Sequence, residues 1–177
     1  MVPDARPTAE LESADADATE RLAALLGRVA LPGLVLALEG EMGAGKTTFV
    51  RGLARGLDSP DAVSSPTYTL MHAYRGRIPL KHFDAWMSAR EGAFLASGGG
   101  EDLLDADAIC ALEWSEEVRD LLPDDRLTLR LLPLGPERRR LEWRASGPLS
   151  ERVLRAFLES LPEEAEPSGE PAVERSP

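Results

Sequence analysis

Cysteine is almost missing from this 177-residue chain, with Cys110 the single example. One thiol excludes an internal disulfide and fits a reducing cytoplasm. It lies in the apolar run Ile109-Cys110-Ala111-Leu112 and reads as buried filler rather than a reactive group. No apolar run reaches the ~18 residues of a membrane-spanning helix. The first residues, acidic and alanine-rich, lack the basic start and apolar centre of a secretory signal. Positive charge is also short: 20 Lys and Arg against 31 Asp and Glu give a net charge of −11. That argues against strong unaided nucleic-acid binding, which requires cationic surface to neutralise phosphates. Arg138-Arg139-Arg140 is the densest basic cluster and reads as the solvated start of a strand.

What remains is an ordinary apolar fraction of 43% and enough length for one domain with a sizeable core. Residues 1–14 and 162–177 read as disordered tails, the second rich in proline and glutamate. The ordered domain is therefore expected over 15–161. Leu22, Leu25, Leu26 and Val29 recur at helical spacing after Asp17. Leu34 to Leu38 reads as a buried parallel strand. Tyr68 to Tyr74 and Ile78 to Phe83 read as an antiparallel hairpin around Arg75-Gly76-Arg77. A helix is expected over Arg90 to Leu95 and a flexible break at Ser97 to Gly100. Ala108 to Leu112 reads as a strand followed by a short helix from Ser115 to Leu122. Leu127 to Leu132 pairs with Leu141 to Ala145, and Leu149 to Leu158 closes the chain as an amphipathic helix. The predicted fold is α/β, a three-layer sandwich whose mixed sheet includes antiparallel strands, and with Gly40-Glu41-Met42-Gly43-Ala44-Gly45-Lys46-Thr47 between its first buried strand and the next helix it is of the P-loop NTPase type.

The chemistry is concentrated in Gly40-Glu41-Met42-Gly43-Ala44-Gly45-Lys46-Thr47, a complete G-x-x-x-x-G-K-[ST] sequence. It follows a strand and opens a helix, the geometry that binds an anion. Backbone amides of Gly43, Ala44 and Gly45 can surround a phosphate chain, Lys46 can reach its β- and γ-phosphates, and Thr47 can ligate Mg²⁺. Hydrolysis also requires acidic groups that hold the metal and position water. Asp84 and Glu113 each end an apolar run, where parallel strands would aim them at the same crevice. A turn residue or helix cap is the other reading of each. Ser64-Ser65-Pro66-Thr67 occupies a common place for a nucleotide-sensing segment, although the tetrapeptide is also an ordinary turn. His82, Trp86 and Trp114 read first as structural residues.

The series Gly40–Phe49, Ser65-Pro66-Thr67-Tyr68, His82-Phe83-Asp84 and Glu113-Trp114 resembles the bacterial TsaE (YjeE) family of tRNA threonylcarbamoyladenosine biosynthesis, over roughly Asp17 to Ala145. The resemblance implies an ATPase that uses ATP and Mg²⁺. In it Lys46 and Thr47 act on phosphate and metal, Thr48 supports the α-phosphate, and Thr67 is a switch-like threonine. Asp84 is linked to Mg²⁺, Glu113 orients the attacking water, and Thr19 lies near the adenine. The implied partners are TsaB and TsaD, which transfer the threonylcarbamoyl group to adenosine 37 of tRNA. This chain would hydrolyse ATP on that pair without performing the transfer. Two departures stand out. Ala85-Trp86-Met87 lacks the arginine usual after the aspartate, and Glu41-Met42 replaces Asp-Leu. Two rival readings are a small-metabolite kinase and a non-hydrolysing module switched by nucleotide. The single arginine of the Arg90–Gly100 segment disfavours the kinase.

Overall fold

A strand without a polar face needs cover on both sides. Val35–Glu39 is such a strand, with Val35 to Leu38 all buried. It is the central strand of a seven-stranded sheet in the computed structural model, which describes residues 8–66, 71–86 and 99–162. The elements in chain order are β1 (Thr8–Ser13), α1 (Ala16–Val29), β2 (Val35–Glu39), α2 (Lys46–Gly56), β3 (Met71–Tyr74), β4 (Leu80–Asp84), α3 (Gly99–Leu103) and β5 (Ile109–Glu113). A 3-10 turn (Ser115–Leu121), β6 (Leu127–Pro133), β7 (Arg139–Ala145) and α4 (Pro148–Glu159) complete them. The strand order is β1-β7-β6-β2-β5-β4-β3. β6, β2, β5 and β4 are mutually parallel. β3, β7 and β1 add antiparallel pairings.

Alternation along the strands divides the interior in two. Leu36 and Leu38 meet Leu26, Phe49, Leu53, Trp143 and Phe157 in the larger core, beneath α1, α2 and α4. Val35 turns the other way and joins Phe83, Leu103, Cys110, Leu112 and Val118, beneath α3 and the 3-10 turn. These layers make the α/β sandwich with a mixed sheet that the sequence predicts. Cys110 is buried, its thiol is pushed up to about 12 by desolvation, and its Sγ donates to the Asp102 carbonyl at 2.8 Å.

Helices α1 and α2 touch through backbone. A methyl group at Gly52 would fall on the carbonyl oxygen of Glu20, and one at Gly56 on that of Ala24. From the other side, a methyl at Gly27 would meet the Leu53 carbonyl at 2.5 Å. The glycines are thus what allows α1 to lie directly on the helix that follows the phosphate loop.

Helix α4 has glycine at its N-cap and no capping side chain of its own. Asp125, from the preceding loop, supplies one, accepting from the amides of Leu149 at 2.8 Å and Ser150 at 3.0 Å. Partial desolvation raises the pKa of this carboxyl, but the two amides and the Ser150 hydroxyl outweigh it, and the net shift is downward. A depressed folded-state value means that the stabilisation is present above the unfolded aspartate range and lost as pH falls through the folded value. Asp125→Ala should therefore cost about 1 kcal/mol at neutral pH. The deficit against wild type, read from urea melts, should shrink as the pH drops below about 4.

Four expectations change. Thr8–Ser13, read as part of a disordered tail, is a strand at the sheet edge. Ala9, Leu11 and Ser13 face inward, and Glu10 pairs with Arg140 at 3.1 Å while Glu12 pairs with Arg138. The strand is made by β7, far away in sequence, so local composition did not reveal it. Gly99 and Gly100, read as part of a flexible break, begin α3 instead. Lys81 ties that region to β4 through Asp102 at 2.6 Å and Asp105 at 2.7 Å. Arg138 and Arg140 are paired to β1 rather than simply solvated, and Arg139 turns inward (below). Trp86 is 43% exposed rather than part of the core, and it rests against Trp114 at a centroid distance of 4.3 Å. Residues 1–7, Thr67 and Tyr68, the expected helix of Arg90 to Leu95, Ser97-Gly98, and 163–177 lie outside the described residues.

Candidate functional site

Between β2 and α2 the chain turns through three glycines at positive φ: Gly40 at 139°, Gly43 at 78° and Gly45 at 106°. A side chain at Gly40 would also meet the Leu131 carbonyl at 2.6 Å. Gly45 is the N-cap of α2, and neither a side-chain cap nor an acidic residue occupies the helix's first turn. Its leading amides and positive dipole end are thereby available to an anion.

Lys46 and Thr47 are the first two residues of that helix. The Lys46 ammonium donates to the carbonyls of Gly40 at 2.5 Å and Glu41 at 3.0 Å, and lies 3.8 Å from the centre of the Trp114 ring. Burial pushes its pKa below the ordinary lysine value, opposed by the attraction of Glu113, Glu116 and Asp84. Thr47 Oγ1 donates to Glu113 Oε1 at 2.7 Å.

The two acidic residues are direct partners across the sheet. β4 and β5 run parallel in a register that sets Asp84 opposite Glu113, at the strand ends nearest the loop. Both are buried, at 3% and 4% exposure. The cap reading of Asp84 holds in part, since Oδ1 accepts the Trp86 amide at 2.9 Å. Glu113 does more than end a strand: its Oε1 meets both the Thr47 hydroxyl and His82 Nε2, the latter at 2.8 Å. Trp114 follows with φ 58°, a conformation that costs a non-glycine residue about 1–3 kcal/mol. That turn sets its ring beside Lys46 and Trp86.

Two adjoining cavities surround the loop. The first, about 550 Å³, is lined by Lys46, Thr47, Ser65, Asp84, Glu113 and Trp114 among others. The second, about 410 Å³, lies between α1 and the start of β7 and includes Asp15, Asp17, Thr19 and Arg139. Gly43, Gly45 and Thr48 line both. Thr19 is buried, its hydroxyl donating to the Asp15 carbonyl at 3.0 Å and lying 2.7 Å from Ser13 Oγ. Ala44 is fully buried behind the loop. A larger groove of about 740 Å³ lies along β1, β7 and β6 and contains none of the loop residues. Every predicted site residue within the described segments therefore borders one of these two cavities. Thr67 lies outside the described residues; Ser64, three residues before it, is held by Tyr74, whose hydroxyl donates to the Ser64 carbonyl at 2.9 Å.

Three residues outside the predicted site set gain importance. His82 reads as structural, yet strand alternation places it on the same face as Asp84, which is the signal that could have found it. Its Nε2 engages Glu113, while the buried Nδ1 has no partner among the described residues. Glu116, in the 3-10 turn three residues after Glu113, reaches back so that its Oε1 accepts the Gly40 amide at 3.5 Å. Arg139 donates to the carbonyls of Ala44 at 3.0 Å and Gly43 at 3.3 Å, a contact across 95 residues of chain that no local pattern announces.

The donor set fits magnesium better than a metal held by protein alone. No group of three acidic, histidine or cysteine side chains that could hold a metal occurs among the described residues. One hydroxyl and two carboxylates beside a phosphate loop match an ion that keeps several waters and takes further ligands from phosphates.

Comparison with known proteins agrees with the sequence pattern. The family profile described as "Threonylcarbamoyl adenosine biosynthesis protein TsaE" matches residues 13–141. The tRNA threonylcarbamoyladenosine biosynthesis protein TsaE of Bacillus subtilis (strain 168) is 36% identical over 130 residues, which cover 73% of this chain and 80% of that protein. The protein of the same name from Treponema pallidum (strain Nichols) is 36% identical over 129 residues, 73% of this chain and 95% of its own. The crystal structure of Bacillus subtilis YdiB superposes with a TM-score of 0.73 at 28% identity, covering 86% of this chain and 95% of that one. With a match that contains the glycine loop, Asp84 and Glu113, the chain belongs to the TsaE family of tRNA threonylcarbamoyladenosine biosynthesis.

Proposed function

We propose that this protein binds ATP with Mg²⁺ and hydrolyses it in the cytoplasm on behalf of the TsaB–TsaD pair, which itself transfers the threonylcarbamoyl group to adenosine 37 of tRNA. The observation that carries the reading is the convergence on Glu113. Thr47 at the head of α2 and His82 on β4 both engage its Oε1, with Asp84 alongside in register. Such an arrangement holds one carboxylate at a set distance from a phosphate loop, as positioning of a nucleophilic water requires.

In this reading the amides of Gly43, Ala44 and Gly45 hold the phosphates, Lys46 neutralises the β- and γ-phosphates, and Thr48 supports the α-phosphate. Thr47, Asp84 and Glu113 hold Mg²⁺, which supplies charge neutralisation on the phosphate oxygens when bound. Glu113 orients water toward the γ-phosphate, with Thr67 as the switch-like threonine. Thr19 stands at the wall of the nucleoside cavity. The nearest rival is a module that ATP merely switches, with no turnover.

Steady-state ATP hydrolysis, with and without TsaB–TsaD, separates the two. Weak turnover alone, a marked rise with the pair, and a drop of about 100-fold or more in Glu113→Gln at near-normal ATP affinity are expected. Nucleotide binding without turnover in every mixture would leave the switch.

A further inference from the structure

Between α1 and the residues that end α4 runs a groove of about 650 Å³, apart from both cavities of the phosphate loop. Leu22 and Leu25 are half-buried in it, and Arg21, Arg28 and Arg55 stand exposed around them. Helical spacing sets Arg21, Leu25 and Arg28 in one row along α1. The groove's acidic residue, Glu12, is taken by Arg138. Arg55 shares Glu20 at 3.5 Å with Arg51, which holds it more closely at 2.8 Å. Arg21 and Arg28 have no acidic partner among the described residues. An apolar floor between unpaired arginines suits an acidic segment with small apolar side chains.

The chain carries such a segment at the rim. Ser160 and Pro162 line the groove, and the sequence continues from Pro162 as Glu163-Glu164-Ala165-Glu166-Pro167. Glu170 and Glu174 follow, and Arg175 is the one cation of residues 163–177. An extended chain advances about 3.3 Å per residue, whereas the helix from Arg21 to Arg28 rises only about 10 Å. The first few residues after Pro162 thus suffice to bring carboxylates past both arginines. Single exposed ion pairs are weak, at about 0–1 kcal/mol. A tethered segment, however, meets its site at an effective concentration of order millimolar, so it fills a weak charged groove ahead of a free partner.

We propose that residues 163–177 dock on their own domain, with the glutamates that follow Pro162 pairing Arg21 and Arg28 over the Leu22–Leu25 floor. The acidic segment is then a clasp on the outer side of α1, the helix that lies on α2.

A nitroxide at Ser168→Cys in the full chain tests it, since Cys110 is buried and leaves the new thiol as the one to react. Paramagnetic broadening of backbone amide signals reads where the label resides. Broadening of Arg21 to Arg28 should exceed that of Met71–Tyr74, at the far edge of the sheet, and should fall about twofold or more as salt rises from about 0.05 M to about 0.5 M. Arg21→Glu with Arg28→Glu in one chain should remove the excess, and adding Glu163→Lys, Glu164→Lys and Glu166→Lys should restore it. The two arginines are exposed, so the domain keeps its core in these variants, and the salt series on the wild-type arginines stands independently of them. Even broadening over the surface would overturn the proposal. An excess that ignores both salt and charge reversal reflects tethering alone and would do the same. Broadening passed from a spin-labelled chain to an isotope-labelled one without nitroxide would make a second copy the source of the occupant, and would likewise overturn it.

Discussion

Lys46→Ala should lower ATP affinity by about 100-fold or more while leaving the domain folded. Two or more charge-assisted hydrogen bonds to phosphate, each worth about 1.5–3 kcal/mol, account for a loss of that size. The lysine has no other anchor comparable to a ligand: its ammonium touches two loop carbonyls and one aromatic face. Its removal also leaves Asp84, Glu113 and Glu116 without the cation that their charges act on, which makes the cleft more repellent to phosphate. The fold does not depend on it, because the apolar core beneath α2 is built from Phe49, Val50 and Leu53. Calorimetric titration with ATP and Mg²⁺, paired with a thermal melt, reads both parts. Unchanged affinity in a folded variant would remove the phosphate-loop assignment.

Gly52→Val is expected to destabilise the helix interface strongly, by about 3 kcal/mol. A Cβ there would fall on the Glu20 carbonyl, with the Ala23 Cβ and Glu20 Cα also inside contact distance, at 2.7 and 2.8 Å. None of these is the end of a flexible side chain, so α1 as a whole must shift. Overpacking of a rigid contact costs about 1–3 kcal/mol and occasionally more. Valine's weaker helix propensity than alanine's offers no relief, although any residue regains part of glycine's helix penalty of about 1 kcal/mol. The shift has a consequence for the proposed site, because α1 carries Thr19 and is capped by Asp15, both on the wall of the second cavity. ATP affinity should fall with stability, and Gly52→Ala should lie between wild type and Gly52→Val on both counts. A urea midpoint for Gly52→Val equal to that of wild type would show that the two helices separate freely.

The central part of the site was legible because its chemistry is local. Gly40 to Thr47 is contiguous, and the positive φ of Gly40, Gly43 and Gly45 is what glycine at those positions predicts. Asp84 and Glu113 were found by a rule about strand ends, and register then made them neighbours. His82 was within reach of the same reasoning, since alternation along β4 puts it on the face of Asp84, but a single histidine carries no sign of its partner. Arg139 and β1 were out of reach. Each depends on a pairing between distant segments, Arg139 with the phosphate loop and β1 with β7, and a pattern within ten residues cannot encode its complement a hundred residues away.

The chain's sequence thus decides its class: composition and periodicity point to a one-cysteine α/β domain with two strand-end carboxylates, and the motifs Gly40–Phe49, Ser65–Tyr68, His82–Asp84 and Glu113-Trp114 carry the resemblance to the TsaE family. These are properties of short stretches, set by backbone sterics, by glycine's conformational freedom and by the alternation of apolar residues. Tertiary structure alone decides that His82 and Thr47 share one oxygen of Glu113, that Arg139 braces the loop, and that α1 lies on α2 closely enough to form a second cavity. Those outcomes follow from packing, where hydrogen-bond partners and close approaches are chosen by the whole fold at once.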